Sequence, residues 1–471
     1  MIANLFLGSQ EITRDKLLDR HSPYNGKVVS RAVFCDANDA KKALQIAKES
    51  AKETKKTTIA QRCAWLLDVA QKLKEHKEDI AKTITDEVGK PITFSRVEVD
   101  RCIETITLSA EAMRSMHGET INTDAMSSGK KTTAFYIREG VGVVVAITPF
   151  NFPLNLVAHK IAPALVAGNA VVLKPTPEAP LTAYKLAKLF IESPYAIKDA
   201  LSLVYGDADV GSALVKSDIP RVVSFTGSVG VGEIITRSAG IKKVSLELGG
   251  NAATYIDKSA DLDLAAQRCA MGAFINSGQV CISLQRIYVN SDIYDEFATK
   301  MAQESKKLIV ASPYEESTFM GPLINEDACN RAMNWVQSAI EEGAVAMLEP
   351  KAEGRLFYPC VMANVRDDMK IVCEEVFAPI VSLVKVDSFD EAVVKMNNSP
   401  YGLQFSIFTN DLKTAQRAIY ELEAGGVVIN DIPTLRFDIQ PYGGVKLSGI
   451  GREGPKYAIE EMSEIKSVVI C

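Results

Sequence analysis

The chain has 471 residues, too many for one ordinary hydrophobic core, so two or more domains are expected. Hydrophobic residues make up 47% and charged residues 24%, which excludes a disordered or fibrous chain. With 53 basic against 59 acidic side chains the net charge is −6, and no basic stripe points to nucleic acid or to an anionic membrane.

Apolar positions at helical spacing predict amphipathic helices over 37–58, 59–85 and 93–117. The stretch 118–135 is polar, is short on helical periodicity, and reads as a linker or an extended arm. Short, mostly β-branched runs follow at Val141–Ile147, Ala170–Leu173, Leu201–Val204, Arg221–Phe225 and Val244–Leu248, with helical segments near 154–167, 179–192, 208–216 and 229–239 between them. That alternation argues for a doubly wound parallel sheet, and the unbroken apolar strands argue for cover on both faces. A second α/β series follows residue 250, with strands at 285–289, 380–385, 405–408 and 426–429. The closing run Lys466–Ile470 is a strand whose partner is either the arm near 132–138 or another subunit.

Nine scattered cysteines without a C-x-x-C, and only four histidines, predict free thiols in a reducing compartment and no zinc site. Nothing at the N-terminus has the layout of a signal peptide, and no apolar run is long enough to span a bilayer. A cytoplasmic protein is expected.

In open α/β sheets ligands bind beyond the carboxyl ends of the strands. Four segments fall there: Thr148-Pro149-Phe150-Asn151-Phe152-Pro153, Lys174-Pro175-Thr176-Pro177-Glu178, Phe225-Thr226-Gly227-Ser228-Val229-Gly230-Val231-Gly232, and Glu247-Leu248-Gly249-Gly250. The third supplies glycines, a hydroxyl and a helix N-terminus suited to a pyrophosphate. It is not G-x-G-x-x-G, and an ordinary tight turn is the competing reading. Glu247 and Cys281 lie 34 residues apart. A thiolate is the side-chain nucleophile best suited to a carbonyl at neutral pH, and a carboxylate can act as a base. Singly, a cysteine is more often a packed thiol than a nucleophile, and a glutamate is usually a solvated acid.

Taken together the segments are more specific. Phe-Asn-Phe-Pro, Lys-Pro, Phe-Thr-Gly-Ser, Leu-Glu-Leu-Gly-Gly, Gly-Gln-x-Cys, Glu-Glu-Val-Phe-Ala-Pro (374–379) and Pro-Tyr-Gly-Gly-Val-Lys-x-Ser-Gly-x-Gly-Arg-Glu (441–453) occur in that order. Over essentially its whole length the chain resembles the NAD(P)-dependent aldehyde dehydrogenase superfamily. The resemblance implies Cys281 as the nucleophile, Asn151 with the Cys281 N–H as the oxyanion hole, and Glu247 as the base that hydrolyses the thioester. It places Glu375 and Phe377 at the nicotinamide and its ribose, Lys174 at the adenine ribose, and Gly227 and Ser228 near the pyrophosphate. Ile147, Thr148, Pro149, Phe150, Thr176 and Glu178 extend the implied cofactor surface. So do Gly211, Phe225, Thr226, Val231, Gly232, Leu248 and Gly249.

The implied architecture is a Rossmann-type dinucleotide-binding domain (1–117 and 139–248), an α/β catalytic domain (249–445), and a small β oligomerisation arm (118–138 and 446–471) that makes a homodimer or homotetramer. Relatives that prefer NAD often carry an acid where this chain has Pro177. Its loss removes repulsion of a 2′-phosphate, so NADP is expected to be accepted. The runs 151–160 and 436–441 resemble a branch of lactaldehyde and non-phosphorylating glyceraldehyde-3-phosphate dehydrogenases. There Arg101, His159 and Arg436 would surround a small hydroxylated or anionic aldehyde; the competing reading makes Arg101 and Arg436 scaffold ion-pair residues. Val280 replaces an arginine common in phosphate-accepting relatives, which favours an uncharged hydroxyaldehyde such as lactaldehyde. A succinate-semialdehyde-type enzyme is a further alternative. Transfer to coenzyme A is disfavoured by the acid at 247, and a purely structural protein by the complete set of reactive residues.

Overall fold

Val143–Ile147, Ala170–Lys174 and Val222–Thr226 form the centre of an eight-stranded sheet in the computed structural model, which describes all 471 residues. Their side chains are covered on both faces, and only Ile147 and Thr226, at the carboxyl ends, are half-buried. Five parallel strands lie in the order Lys243–Glu247, Val222–Thr226, Val143–Ile147, Ala170–Lys174 and Leu201–Leu203. The first of these in the chain therefore sits between the second and the fourth. Connections leave it in opposite directions and open a crevice at the carboxyl ends. The sequence pattern had not shown the antiparallel edges: Gly449–Ile450 beside Lys243–Glu247, and Leu5–Leu7 with Gln10–Ile12 beyond Leu201–Leu203.

A second, seven-stranded sheet runs Val345–Ala346, Cys360–Ala363, Ile380–Val386, Leu284–Asn290, Ala252–Ile256, Gln404–Phe408, Gly426–Ile429 and is parallel except at Val345–Ala346. The closing strand Ser463–Ile470 pairs antiparallel with Thr133–Gly140 over eight residues, so the arm is its partner within the chain. Ile465, Val469 and Ile470 remain 57% exposed on this two-stranded ribbon, which on its own buries too little to be stable.

The helix expected over 59–85 is two helices, Ile59–Glu75 and Lys77–Val88, because His76 (φ −103°, ψ 13°) leaves helical geometry. Glu78 and Asp79 then fall in the first turn of the new helix, where its dipole favours them.

Glu87, near the end of that second helix, is fully buried and secures the loop after Ala170–Lys174. Its carboxylate accepts hydrogen bonds from Leu181 N (2.9 Å), Thr182 N (2.9 Å), Thr182 Oγ1 (2.7 Å) and Ser30 Oγ (2.5 Å). It thus caps the helix Pro180–Ile191. The substitution Glu87→Ala strands all four donors and is expected to cost about 3–5 kcal/mol. A denaturant titration that finds wild-type stability would refute this assignment.

Candidate active site

The segment before Cys281 is a strained turn. After the helix Leu262–Phe274, the residues Asn276, Ser277 and Gly278 adopt left-handed φ values of 50°, 56° and 72°. Two of the three carry side chains, at a cost of order 1–2 kcal/mol each. At Gly278 a Cβ would collide with the Ala378 carbonyl. Buried contacts hold the turn: Ser277 Oγ donates to the Gly321 carbonyl (2.7 Å), and Gln279 Oε1 accepts from Ile324 N (2.9 Å). Strain held in this way is typical of functional sites.

The turn presents Cys281 to a cavity of about 540 Å³, which Asn151, Glu247, Glu375 and Phe377 also line. Burial pushes the Cys281 thiol up to about 11, opposed by a hydrogen bond with the Tyr442 hydroxyl (3.0 Å) and by the charge of Arg436. Asn151 is buried; its Nδ2 donates to the Gln279 carbonyl (3.1 Å) and its Oδ1 accepts from Phe152 N (3.1 Å). The amide is thereby locked beside the loop that carries Cys281.

Glu247 ends its strand at 3% exposure, and neither carboxylate oxygen has a partner within the protein. Burial raises its pKa well above the usual range, reinforced by nearby Glu453 and opposed by Lys160 and Arg436. Burial would raise Glu453 as well, but Lys160, at 2.9 Å, together with His159 and Arg436, brings it down to about 2. Of the two acids, Glu247 is therefore the one whose protonated form the surroundings favour.

On the crevice side, the helix Val229–Ala239 begins without a side-chain cap from Ser228, and the buried Thr226 Oγ1 has no protein partner. Free N–H groups and an orphaned hydroxyl at one helix start suit a phosphate. A Cβ on Gly227 would strike the Phe225 ring, and one on Gly232 would strike Leu248. Glu375 Oε1 accepts from Gly250 N (3.0 Å) and packs so closely on Gly249 that a Cβ there would overlap its carboxylate. Burial pushes the Glu375 carboxyl up to about 7. Phe377, also left-handed at φ 49°, meets Phe150 edge to face at 6.0 Å. Pro149 lines the cavity with them, while Thr148, whose hydroxyl lacks a partner, lies buried behind.

Lys174 and Thr176 are buried at the end of their strand, with Gly211 beside the lysine stem. Burial lowers the Lys174 pKa, against the pull of Asp207 and Asp209. Glu178 is held by Arg20 at 2.6 Å, and Val231 projects to the surface.

The expected substrate residues separate. His159 does not reach the cavity: it is fully buried, with Nε2 2.9 Å from Asp438 Oδ1. It lies on the buried helix Asn155–Val166, whose Asn155 and Leu156 line the cavity while His159 does not. Arg101 and Arg436 do line the cavity, yet both are ion-paired: Arg101 as a fork on Asp438 (2.9 and 2.7 Å), Arg436 with Glu453 (3.3 Å). Tyr442, Glu453, Asp438 and Lys160 had not been singled out from the sequence. The first two lie inside the quoted 441–453 motif, but only tertiary contact gives them a place in the site.

Residues 10–468 match the aldehyde dehydrogenase family. The chain is 43% identical over 466 residues (98% of it and 96% of the relative) to the 3-sulfolactaldehyde dehydrogenase of Priestia megaterium. It is 40% identical over 470 residues, 99% of each chain, to the lactaldehyde dehydrogenase of Methanococcus aeolicus. The crystal structure of glyceraldehyde-3-phosphate dehydrogenase GapN from Methanocaldococcus jannaschii, complexed with NADP, superposes with a TM-score of 0.92 at 39% identity, covering 98% of this chain and 100% of that one. The chain belongs to the aldehyde dehydrogenase family.

A Cβ placed on Gly443 would lie 3.0 Å from Glu247 Oε1 and 2.7 Å from the Gly451 carbonyl. Gly443→Ala should therefore displace the carboxylate and lower kcat at least about tenfold in a protein of unchanged circular dichroism. Wild-type kcat in that variant would show that the carboxylate position is not critical.

Proposed function

We propose that this member of the aldehyde dehydrogenase family oxidises a small hydroxylated aldehyde of the lactaldehyde type to its carboxylate. Cys281 attacks the carbonyl carbon, and the Asn151 amide and the Cys281 N–H stabilise the oxyanion that develops. Bound NAD or NADP would supply the hydride acceptor for the oxidation. The first turn of Val229–Ala239 and Thr226 would hold its pyrophosphate, Lys174 its adenosine, and Glu375 and Phe377 its nicotinamide end. Glu247 then takes a proton from the water that opens the acyl-cysteine. The observation carrying this reading is that a buried carboxylate with no protein partner faces the same cavity as the thiol and the amide. An acid left so costly by burial is retained for a partner that comes from outside the chain.

Domain boundaries of 1–117 with 139–248, 249–445, and 118–138 with 446–471 belong to the same reading. So does a homo-oligomer joined through the arm, supported by the exposed apolar residues of the ribbon. No helix is long and apolar enough to cross a membrane. A cytoplasmic setting is supported by nine cysteines that are all unpaired.

An uncharged substrate tail is supported by the pairing of both cavity arginines with acids of the same chain. A second reading, an anionic tail, is supported by the 43% relative and by Arg101, whose side chain keeps 27% exposure. Lactaldehyde, 3-sulfolactaldehyde, glyceraldehyde 3-phosphate and succinate semialdehyde compared by kcat/KM separate the two. Lactaldehyde should lead, and Arg101→Met should change its rate little. A lead for 3-sulfolactaldehyde that Arg101→Met removes would favour the second reading.

NADP use is supported by Pro177 and by the engagement of Glu178 with Arg20. Pro177→Glu should shift the kcat/KM ratio toward NAD about tenfold or more; an unmoved ratio would dissociate this position from cofactor choice.

Glu247→Gln should leave a single-turnover burst of NAD(P)H and slow steady turnover about 100-fold, because the acyl-enzyme accumulates. Only ionised Glu247 can accept a proton, and burial raises its pKa. Hydrolysis should therefore rise with pH through that raised value, and the dependence should vanish in the glutamine variant. Wild-type turnover in Glu247→Gln would remove Glu247 from the hydrolytic step.

A further inference from the structure

Tyr442 is buried, and its hydroxyl has one hydrogen-bonding partner, the Cys281 sulfur at 3.0 Å. Buried tyrosine hydroxyls are normally satisfied by oxygen or nitrogen atoms of the fold. Here the group is aimed at the reactive sulfur. The ring is held from two sides. Its backbone exchanges hydrogen bonds with Glu453 (Tyr442 N to Glu453 O 3.1 Å, Glu453 N to Tyr442 O 2.6 Å), and the Arg436 guanidinium lies 3.6 Å from the ring centroid. Phenylalanine would fill the same space and stack on the same arginine. The hydroxyl is thus the one part of the side chain that packing does not explain.

We infer that Tyr442 is a further catalytic residue: its hydroxyl donates a hydrogen bond to the Cys281 thiolate as it forms, which eases ionisation of the buried thiol and fixes the sulfur at one wall of the cavity. The inference rests on the reading of Cys281 as the nucleophile. A thiolate can only accept, so the phenol must be the donor in that state. Burial and the neighbouring Cys281 raise the phenol pKa well above its ordinary value, which favours the protonated, donating form. The other charges that face the sulfur are Arg436, which favours the thiolate, and Glu375 and Glu247, which oppose it. Tyr442 and Arg436 together offset the two carboxylates.

The test is the pH dependence of Cys281 alkylation by iodoacetamide in the full-length enzyme without added cofactor, read by mass spectrometry, with Cys281→Ser as the blank. Tyr442→Phe should raise the thiolate midpoint by about one pH unit and slow alkylation below it about tenfold. 3-Fluorotyrosine at position 442, a stronger donor, should move the midpoint down. A merely structural tyrosine would move neither. Midpoints equal to wild type in both proteins overturn the inference, and if Tyr442→Phe fails to fold the fluorinated protein decides alone. NAD(P)H formation that persists in Cys281→Ser would overturn the nucleophile reading itself. An inactive Cys281→Ser with unmoved midpoints overturns only the role of Tyr442.

Discussion

The site depends on an unequal pair of buried carboxylates. Glu453 is neutralised by Lys160 at 2.9 Å and by Arg436 at 3.3 Å, both of them almost inaccessible to water. Glu247, close enough to feel Glu453, has no hydrogen-bonding partner in the protein. A buried ion pair contributes little net stability, but losing one member costs about 3–5 kcal/mol. Lys160, Glu453 and Arg436 are therefore fixed as a group. Their arrangement favours the ionised form of Glu453 and raises the pKa of Glu247, so the two environments push the two acids apart.

The fold delivers that pair through strand ends. Glu247 closes the strand Lys243–Glu247, and the antiparallel edge Gly449–Ile450 lies against it, with Gly449 opposite Glu247. The same C-terminal segment carries Tyr442, Gly443 and Glu453. One short edge pairing thus sets the position of the carboxylate, of its charged neighbour, and of the tyrosine beside Cys281. Asp438 organises the adjoining wall, taking Arg101 as a fork and His159 at 2.9 Å. Its pKa falls far below the usual carboxylate range because these partners outweigh burial. Arg101 accordingly faces the cavity as half of a neutral pair with Asp438, whereas Arg436 shares Glu453 with Lys160.

The sequence and the structure agree best where a pattern is local. Val222–Thr226 and Lys243–Glu247 are short β-branched or apolar runs between helices, and periodicity places them within a residue or two. Leu5–Leu7 and Gln10–Ile12 escape that reading because edge strands of two or three residues have no period to detect. Ala252–Ile256 is too rich in small residues to announce a central strand, although every one of its side chains is buried. The break at His76 was also missed, because amphipathic spacing runs through it and only the acids that follow hint at a new helix start.

For the site, the ordered motifs single out Cys281, Glu247, Asn151, Glu375 and Phe377, which line one cavity, because turn glycines and reactive side chains are local features of the chain. Their common cavity, and the hydroxyl of Tyr442 on the sulfur, come from residues as far apart as 151, 281 and 442, and no local pattern encodes such distances. His159 shows the limit most plainly: its neighbours in sequence suggested a ligand-facing ring, while helix packing turned it inward onto Asp438. The sequence by itself determined the chemistry available, a thiol, an amide and an acid at strand ends. Tertiary structure alone decided which carboxylate is neutralised and which is left free, because burial and pairing are properties of the assembled interior.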